Sequence, residues 1–195
     1  MLGQKIKKMN TYKLLQINLL FILHLFKIIP SFITLTAMKS NQIIIYVKLH
    51  SIYKTVLILK KYTNSRIDYL SDITVVDYPM NIARFELVYN FISTAYNSRL
   101  RIKSYVNELI SLSSLSLLFS SANWFEREIW DLFGIYFFEH YRLRRILTDY
   151  GFLGHPLRKD FPTSGFLEVR YNEEKQKITY EPIQLSCLGR FLHNK

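Results

Sequence analysis

The sequence ANWFEREIWDLFGIYFFEHYRLRRILTDYGFLGHPLRKDFPTSGFLEVRY, residues 122–171, decides how the rest of the chain is interpreted. It contains both tryptophans and four of the six glycines. Apolar periodicity predicts a helix from about Ser116 to Phe133, with Gly134 as a natural terminator. From Leu147 to Gly165 the periodicity disappears and turn residues dominate, which is typical of an extended segment lying along a partner. We therefore expect this stretch to hold a fixed shape against another protein.

Charged side chains are concentrated at the end of this predicted helix and just after it. The helix carries four of them, Glu126, Arg127, Glu128 and Asp131. Three cations follow, Arg142, Arg144 and Arg145. We expect these arginines either to fold back onto the carboxylates or to pair, together with them, with a neighbouring protein. The alternative is a solvated helix end, where an exposed ion pair contributes about 0–1 kcal/mol. A paired-carboxylate hydrolytic site is disfavoured, because carboxylates that share one helix cannot straddle a substrate.

The segment that follows offers charged groups of its own and ends in a predicted hairpin. Arg158, Lys159 and Asp160 can make charge-assisted hydrogen bonds to a partner. Leu167–Tyr171 and Lys177–Tyr180 are predicted to pair as two short antiparallel strands.

The chain before the helix predicts a sheet. Gln42–Leu49 is apolar and β-branched enough for a strand buried on both faces, and Ser51–Lys61 follows as an amphipathic helix. Arg66–Val76 predicts another strand. Alternation over Ala83–Phe91 and Leu100–Val106 predicts an antiparallel hairpin. The fold class is therefore α+β: a mixed or antiparallel sheet with helices packed on one face, followed by a long extended C-terminal segment and a small hairpin.

The N-terminal region predicts one more helix, residues 10–29, which ends at Pro30. Polar side chains such as Lys13, His24 and Lys27 interrupt its apolar run. A membrane span needs about 20 predominantly apolar residues with few charges, so a buried packing helix is favoured over a span.

These patterns divide the 195 residues into three parts. Residues 1–40 form the N-terminal packing helix and lead-in, and residues 41–134 form the α+β domain. Residues 135–195 form the extended subunit-contacting segment with its terminal hairpin.

The net charge of +11 is confined to the first third of the chain. Residues 1–67 contain ten lysines and Arg66 but no acid, whereas the remainder carries 15 basic and 15 acidic residues. An acid-free basic segment suits RNA, anionic lipid head groups, an acidic partner or a targeting sequence. Because the lysines are scattered, a protein partner or a solvated face is favoured over specific nucleic-acid recognition. A basic RNA-binding or organellar ribosomal protein stays open as the alternative function.

Several classes of catalytic site are excluded by the residues present. The single cysteine, Cys187, cannot form an internal disulfide or a four-cysteine iron–sulfur site. No dinucleotide-binding glycine loop, P-loop or zinc-protease motif occurs. The five histidines are dispersed, which argues against a metal site. One enzymatic alternative uses His155 with Asp160 or Glu168 as acid–base groups.

Three groups of residues carry a resemblance to a known family. The first is Glu126-Arg127-Glu128 with Asp131-Leu132-Phe133, followed by His140 and Arg144–Leu147. The second is DYGFLGHPLRKDFP, residues 149–162, and the third is EVRY, residues 168–171, with Glu181-Pro182. In this order they resemble the 30 kDa subunit family of respiratory complex I, the NADH–ubiquinone oxidoreductase, whose organelle-encoded members are called subunit 9. Tyr141 stands where the family usually has proline, and the tail SCLGRFLHNK also departs from the pattern.

The resemblance implies an α+β domain in the quinone-reducing module of the peripheral arm. The partners it implies are the large hydrogenase-like subunit and the small subunit that carries the terminal iron–sulfur cluster. It places NADH, FMN, the iron–sulfur clusters and ubiquinone on other subunits, with no redox cofactor or catalytic residue on this chain. The expected location is the matrix side of the mitochondrial inner membrane, peripheral to the membrane and without nucleic acid.

On this interpretation the chain is a structural and assembly subunit. It would support electron transfer from NADH to ubiquinone, coupled to proton translocation, without performing chemistry itself. The subunit-contact candidates are Glu126, Arg127, Glu128, Asp131, His140, Arg144, Arg145, Asp149, His155, Arg158, Lys159 and Asp160.

Overall fold

The computed structural model describes residues 19–39 and 42–184, which form a five-stranded mixed sheet and its covering helices. The strands are β1 (Ile33–Lys39), β2 (Gln42–Val47), β3 (Tyr69–Asp77), β4 (Phe85–Ser93) and β5 (Ser98–Val106). Their order across the sheet is β1-β2-β5-β4-β3. β2 and β5 run parallel, and all other neighbours are antiparallel. The predicted mixed sheet is confirmed.

The hairpin of β4 and β5 is the centre of the sheet. Phe85, Leu87, Tyr89 and Phe91 are buried on one face, as the alternation predicts. Their partners on β5 run in register from Phe85 opposite Val106 to Ser93 opposite Ser98. A period of two puts every second side chain on the same face, so the sequence pattern and the observed register agree.

Within residues 19–39 and 42–184, three α-helices cover one face of this sheet, and a short 3-10 helix (Leu49–Ser51) precedes the second. Residues 19–28 are helical (α1), followed by α2 (Ile52–Lys61) and α3 (Ala122–Phe133). A single hydrophobic cluster joins Leu25 of α1, Val56 of α2 and Ile129 of α3 to the alternating core residues of the strands. The predicted packing of helices on one face is therefore confirmed.

The N-terminal region differs from its prediction in two respects. Residues 33–39, treated as part of a lead-in, form the edge strand β1, which pairs with β2. The predicted buried helix is buried on one side only: Leu25 is buried, whereas Leu19, Leu20 and Leu23 are more than half exposed. Residues 10–18 of that prediction lie outside the described residues. Within the described residues, no helix is both long and apolar enough to span a membrane.

The helix predicted from Ser116 begins six residues later, at Ala122. Serine side chains explain the late start. The hydroxyl of Ser114 accepts a hydrogen bond from the backbone N–H of Ser116 at 3.1 Å, which offers the chain an alternative to helical bonding. Ser121 instead donates its hydroxyl to the carbonyl of Leu70 on β3, at 3.1 Å, and so fixes the start of α3 on the sheet.

The C-terminal region contains four short strands. β6 (Leu112–Ser113) pairs in parallel with β7 (Phe137–Phe138), directly after α3. β8 (Leu167–Asn172) and β9 (Lys177–Pro182) form an antiparallel hairpin. Residues 139–166 between them have no helix or strand. Cys187 and the tail from residue 185 lie outside the described residues.

Candidate subunit interface

The carboxylate of Asp131 fastens the extended segment to α3. Its Oδ2 atom accepts backbone N–H bonds from Ile146, Leu147 and Thr148 at 3.1, 2.7 and 2.9 Å. Its Oδ1 atom accepts from the Thr148 hydroxyl at 2.6 Å and from Arg145 at 3.1 Å. The side chain is 0% exposed. Burial alone would raise the pKa of Asp131, but the hydrogen bonds from Thr148, Leu147 and Ile146 lower it to about 2.

Two side chains of the extended segment bond to the free carbonyl groups at the end of α3. His155 Nδ1 donates to the carbonyl of Asp131 at 2.9 Å, and Arg158 Nε donates to that of Phe133 at 2.6 Å. The backbone N–H of Leu157 donates to the carbonyl of Leu132 at 3.1 Å. The last carbonyl groups of a helix have no intrahelical donor, and a cation there is favoured by the helix dipole. The segment therefore also serves as the C-terminal cap of α3.

Arg84 joins the same segment to the end of β3, an edge strand of the sheet. Its guanidinium forms a bidentate pair with Asp77 at 2.7 and 2.9 Å, and it reaches Glu108 at 2.5 Å and Asp160 at 2.8 Å. The Asp77 side chain is 1% exposed and also accepts the backbone N–H of Lys159 at 2.8 Å. The hydrogen bond from Arg84 lowers the pKa of Asp77 and keeps this buried carboxylate ionised.

Glu126 and His140 lie at the opposite, N-terminal part of α3. The Glu126 carboxyl accepts from the Ser114 hydroxyl at 2.5 Å and from the backbone N–H of Leu115 at 2.6 Å. Burial raises its pKa to about 7, although those two hydrogen bonds oppose the shift. His140 Nδ1 accepts the N–H of Arg142 at 3.2 Å, so its proton is on Nε2, which donates to the carbonyl of Asn123 at 3.3 Å.

The predicted charged positions are therefore mostly engaged within the chain. Glu126 and Asp131 have fully buried side chains, and Arg127 is 9% exposed, so the solvated helix end is wrong. Of the three arginines expected to fold back, only Arg145 does so, because Asp131 is the carboxylate whose remaining lone pairs face the segment.

Four of the remaining candidates are exposed and one is half-buried. Asp149 is exposed and accepts hydrogen bonds from the backbone N–H of Tyr150 at 2.8 Å and from the Tyr180 hydroxyl at 3.3 Å. The side chains of Lys159, Asp160 and Arg144 are also exposed, and Glu128 is half-buried on α3.

Sequence reasoning missed Arg84, Asp77 and Glu108. The alternation over Ala83–Phe91 predicts an outward-facing Arg84, and Asp77 directly follows the predicted strand Arg66–Val76. The one sequence signal is that this acid ends one predicted strand and this cation stands at the start of the next. The contact of Arg84 with Asp160 spans 76 residues, which no local pattern reveals.

Residues 135–166, which we call the fastened segment, expose large apolar side chains as well as charged ones. Large side chains that are at least half exposed recur along it: Tyr136, Phe138, Tyr141, Leu147, Tyr150, Leu153, Leu157 and Phe166. The chain thus fixes the backbone of the segment with buried charges, while large apolar side chains and charged ones such as Arg144 and Lys159 stay exposed. Exposed large apolar side chains are candidate positions for contact with another protein.

The alternative acid–base site is not assembled in this fold. His155 contacts the backbone of α3, Asp160 is held by Arg84, and Glu168 lies on exposed β8. Within the described parts of the chain, no group of three or more His, Cys, Asp or Glu side chains is placed to hold a metal ion.

Comparison with known proteins identifies the family. The family model described as "Respiratory-chain NADH dehydrogenase, 30 Kd subunit" matches residues 45–167. The chain belongs to this family. The match includes α2, the sheet from β3 to β5, α3 and the first two motifs, so the resemblance to this family is confirmed. The third motif, residues 168–171 with Glu181-Pro182, lies beyond the matched range.

Named relatives of the 30 kDa family are similar over most of the chain. The chain is 46% identical over 166 residues to "NADH-ubiquinone oxidoreductase subunit 9" of Reclinomonas americana, covering 85% of this chain and 81% of that protein. It is 49% identical over 162 residues to "NADH dehydrogenase [ubiquinone] iron-sulfur protein 3, mitochondrial" of Candida albicans, covering 83% of this chain. The match spans 58% of the length of that Candida relative. These matches give no support to the RNA-binding or ribosomal alternative.

Two solved structures share the fold of this family member. One belongs to an archaeal respiratory membrane complex, the membrane-bound sulfane sulfur reductase, with a TM-score of 0.62 and 22% identity over 80% of this chain and 96% of that chain. The other is a trypsin-resistant fragment (1–134) of Nqo5, with a TM-score of 0.54 and 23% identity, covering 65% of this chain and 99% of the fragment. At this level of identity they support the α+β architecture alone.

Proposed function

We propose that this chain is the 30 kDa subunit of a respiratory-chain NADH dehydrogenase and acts there as a structural and assembly subunit. The observation that carries the proposal is the family match over residues 45–167. That range includes the extended segment, which the described contacts hold rigidly on the domain. In this role the chain supports electron transfer from NADH to ubiquinone, coupled to proton translocation, by positioning other subunits.

The extended segment is proposed as the principal contact with those subunits. Rigid presentation reduces the entropy lost on association, because the backbone is already ordered by Asp131, Arg158 and Arg84. The exposed aromatic side chains of the segment, such as Tyr141 and Tyr150, are of the type that contributes most to binding at protein interfaces. Buried charged groups that fix the backbone, together with large exposed apolar side chains, are the arrangement that suits an assembly subunit.

The finer assignment extends this proposal. The partners would be the large hydrogenase-like subunit of the quinone-reducing module and the small subunit with the terminal iron–sulfur cluster. NADH, FMN, the clusters and ubiquinone would bind on subunits other than this chain. The location would be the peripheral arm on the matrix side of the mitochondrial inner membrane.

A native gel of membranes solubilised in mild detergent tests the proposal. The gel is stained for NADH dehydrogenase activity and probed for this chain. We expect the chain to migrate with the large active band. Migration alone, or with ribosomes, would contradict the proposal. Cross-linking of the purified band followed by mass spectrometry then identifies the neighbouring subunits.

A further inference from the structure

Arg127 of α3 lies close to Arg144 and Arg142 of the fastened segment, and we call these three residues the arginine cluster. Arg127 Nε donates to the carbonyl of Arg144 at 3.3 Å, which brings the two residues together. Burial, followed by the charges of Arg144 and Arg142, lowers the pKa of Arg127. The guanidinium of Arg127 also lies 5.4 Å from the ring centre of Trp124, a side chain that is 63% exposed.

The arginine cluster has no counter-charge within residues 19–39 and 42–184. Arg84, Arg145 and Arg158 each pair with at least one carboxylate, whereas no member of the cluster does. Its neighbours in sequence, Glu128 and Glu139, form no ion pair with it either. A largely buried guanidinium without a carboxylate is costly, because removal from water is not offset by an opposite charge.

We propose that the arginine cluster and Trp124 form a docking site for an acidic segment of a neighbouring protein subunit. One or more Asp or Glu carboxylates of that segment pair with the guanidinium groups, whose planar forks match a carboxylate in two parallel hydrogen bonds. Trp124 and Tyr141, which precedes Arg142 in the sequence and is 91% exposed, supply aromatic contact area. This inference rests on the proposed function, since it requires a neighbouring subunit.

A protein carboxylate fits the cluster better than RNA does. Non-specific binding of a nucleic-acid strand needs a basic groove that follows several phosphates. The arginine cluster is compact and belongs to residues 68–195, where 15 basic and 15 acidic residues balance. A discrete anion presented by a folded partner matches this arrangement.

Zero-length cross-linking in native membranes that contain the full chain tests the proposal. R144K and R142K place an amine in the cluster, and a carbodiimide couples an amine only to a carboxylate that it touches. R99K is the matched control, because Arg99 is an exposed arginine on β5. We expect the lysines introduced by R144K or R142K, but not by R99K, to be coupled to an Asp or Glu of another subunit.

Charge reversal supplies the second arm. R142E with R144E should reduce the fraction of the chain that migrates with its assembly by roughly tenfold, whereas R99E should leave it unchanged. Coupling only to Glu128 or Glu139 of this chain, or coupling to nothing, would overturn the docking site. A photo-induced link from this surface to RNA in place of a protein carboxylate would overturn it as well.

The two proposals fail separately. If R144K couples to an acidic protein in an assembly that lacks NADH dehydrogenase activity, the docking site stands and the proposed function does not. If the chain migrates with the active dehydrogenase but R144K and R142K couple to no partner, the proposed function stands and the docking site does not.

Discussion

Gly134 ends α3 in the left-handed region, with φ at +77°, and its Cα faces two side chains of the fastened segment. A Cβ atom at this position would lie 2.5 Å from His155 Nε2 and 2.7 Å from Arg158 Nη2. Both side chains are fixed by bonds to the carbonyl groups of α3, so they cannot move without losing those bonds. The residue therefore has two constraints, one conformational and one steric.

Gly134→Ala is expected to lower the free energy of unfolding by more than 2 kcal/mol, on the order of 1 kcal/mol for the left-handed backbone and the rest for displacing His155 and Arg158. Gly151→Ala is the matched control, because Gly151 has φ at +76° but no atom within 4 Å of the added Cβ. Urea unfolding followed by tryptophan fluorescence measures both. Equal losses in the two variants would show that the steric contact is unimportant.

Glu126 gives the fold a pH dependence of unusual sign for a carboxyl group. Its pKa is raised from 4.5 to about 7, so between these values the folded chain holds a proton that the unfolded chain has released. The free energy of unfolding therefore falls as pH rises from about 4.5 to 7, by at most about 3 kcal/mol. Well above pH 7 the free energy of unfolding no longer changes through Glu126.

Glu126→Gln should abolish this pH dependence. The amide can accept from Leu115 and donate to the Ser114 hydroxyl, but it cannot ionise. We expect the variant to be more stable than the natural chain at pH 8 and of similar stability at pH 4.5, in denaturant titrations. Glu128→Gln, on the same helix, should change stability by about 0.5 kcal/mol or less at both pH values. The prediction is contradicted if the difference in free energy of unfolding between the natural chain and Glu126→Gln is the same at pH 8 as at pH 4.5.

At the scale of elements, the strands with clear alternation were predictable, whereas β1 and the contacts between elements were not. β4 and β5 were predictable because alternation over nine residues fixes both the conformation and the buried face. The start of α3 was placed too early, since side-chain bonds of serine compete with helix formation. Arg84, directly before β4, contacts Asp77 of β3 and Asp160 of the fastened segment. These residues are distant in sequence, and no periodic pattern predicts that they meet.

Arg84→Ala should destabilise the chain by about 3 kcal/mol, because the Asp77 carboxylate would stay buried without its partner. Arg170→Ala provides the control: Arg170 pairs with Glu181 at 2.8 Å, but its side chain is 63% exposed, so about 0–1 kcal/mol is expected. Hydrogen exchange gives a local measurement, since the backbone N–H of Lys159 that donates to Asp77 should exchange faster only in Arg84→Ala. Unchanged protection of this N–H in Arg84→Ala would show that the Arg84–Asp77 pair does not hold the fastened segment.

At the scale of the whole molecule, one part of the chain stabilises the fold and a different part is proposed to contact partners. One face of the sheet and the helices form the core, while the fastened segment is held by buried contacts of Asp131 and Asp77 and leaves large apolar side chains exposed. Substitutions that remove the contacts of the fastened segment should therefore lower the amount of assembled complex more than the activity per assembled complex, because the reacting groups are proposed to lie on other subunits.

Asp131→Ala is expected to lower the amount of assembled NADH dehydrogenase several-fold, with little change in activity per assembled complex. The substitution removes the acceptor of five hydrogen bonds that position residues 145–148. Glu174→Ala, in the exposed turn between β8 and β9, is the control and should assemble normally. Quantitative native gels with an activity stain separate the two quantities. Normal assembly combined with lost turnover would argue for a catalytic role instead.

The sequence by itself determined the α+β class, the alternating strands, the end of α3 at Gly134 and membership of the 30 kDa family. These features depend on local periodicity, on turn residues and on motifs that are contiguous in the chain. It also indicated that acids and arginines around residues 126–160 belong together.

Only the tertiary structure decided which of those charges pair and which are left over. Pairing depends on the burial and direction of each side chain, which follow from how α3 packs on the sheet and not from spacing along the chain. Asp131 therefore binds Arg145, Arg84 binds three acids, and Arg127 is enclosed without a carboxylate from the described chain. The same packing leaves large side chains of the fastened segment such as Tyr141 and Tyr150 exposed, because the segment is held through backbone groups that bond to Asp131 and Asp77.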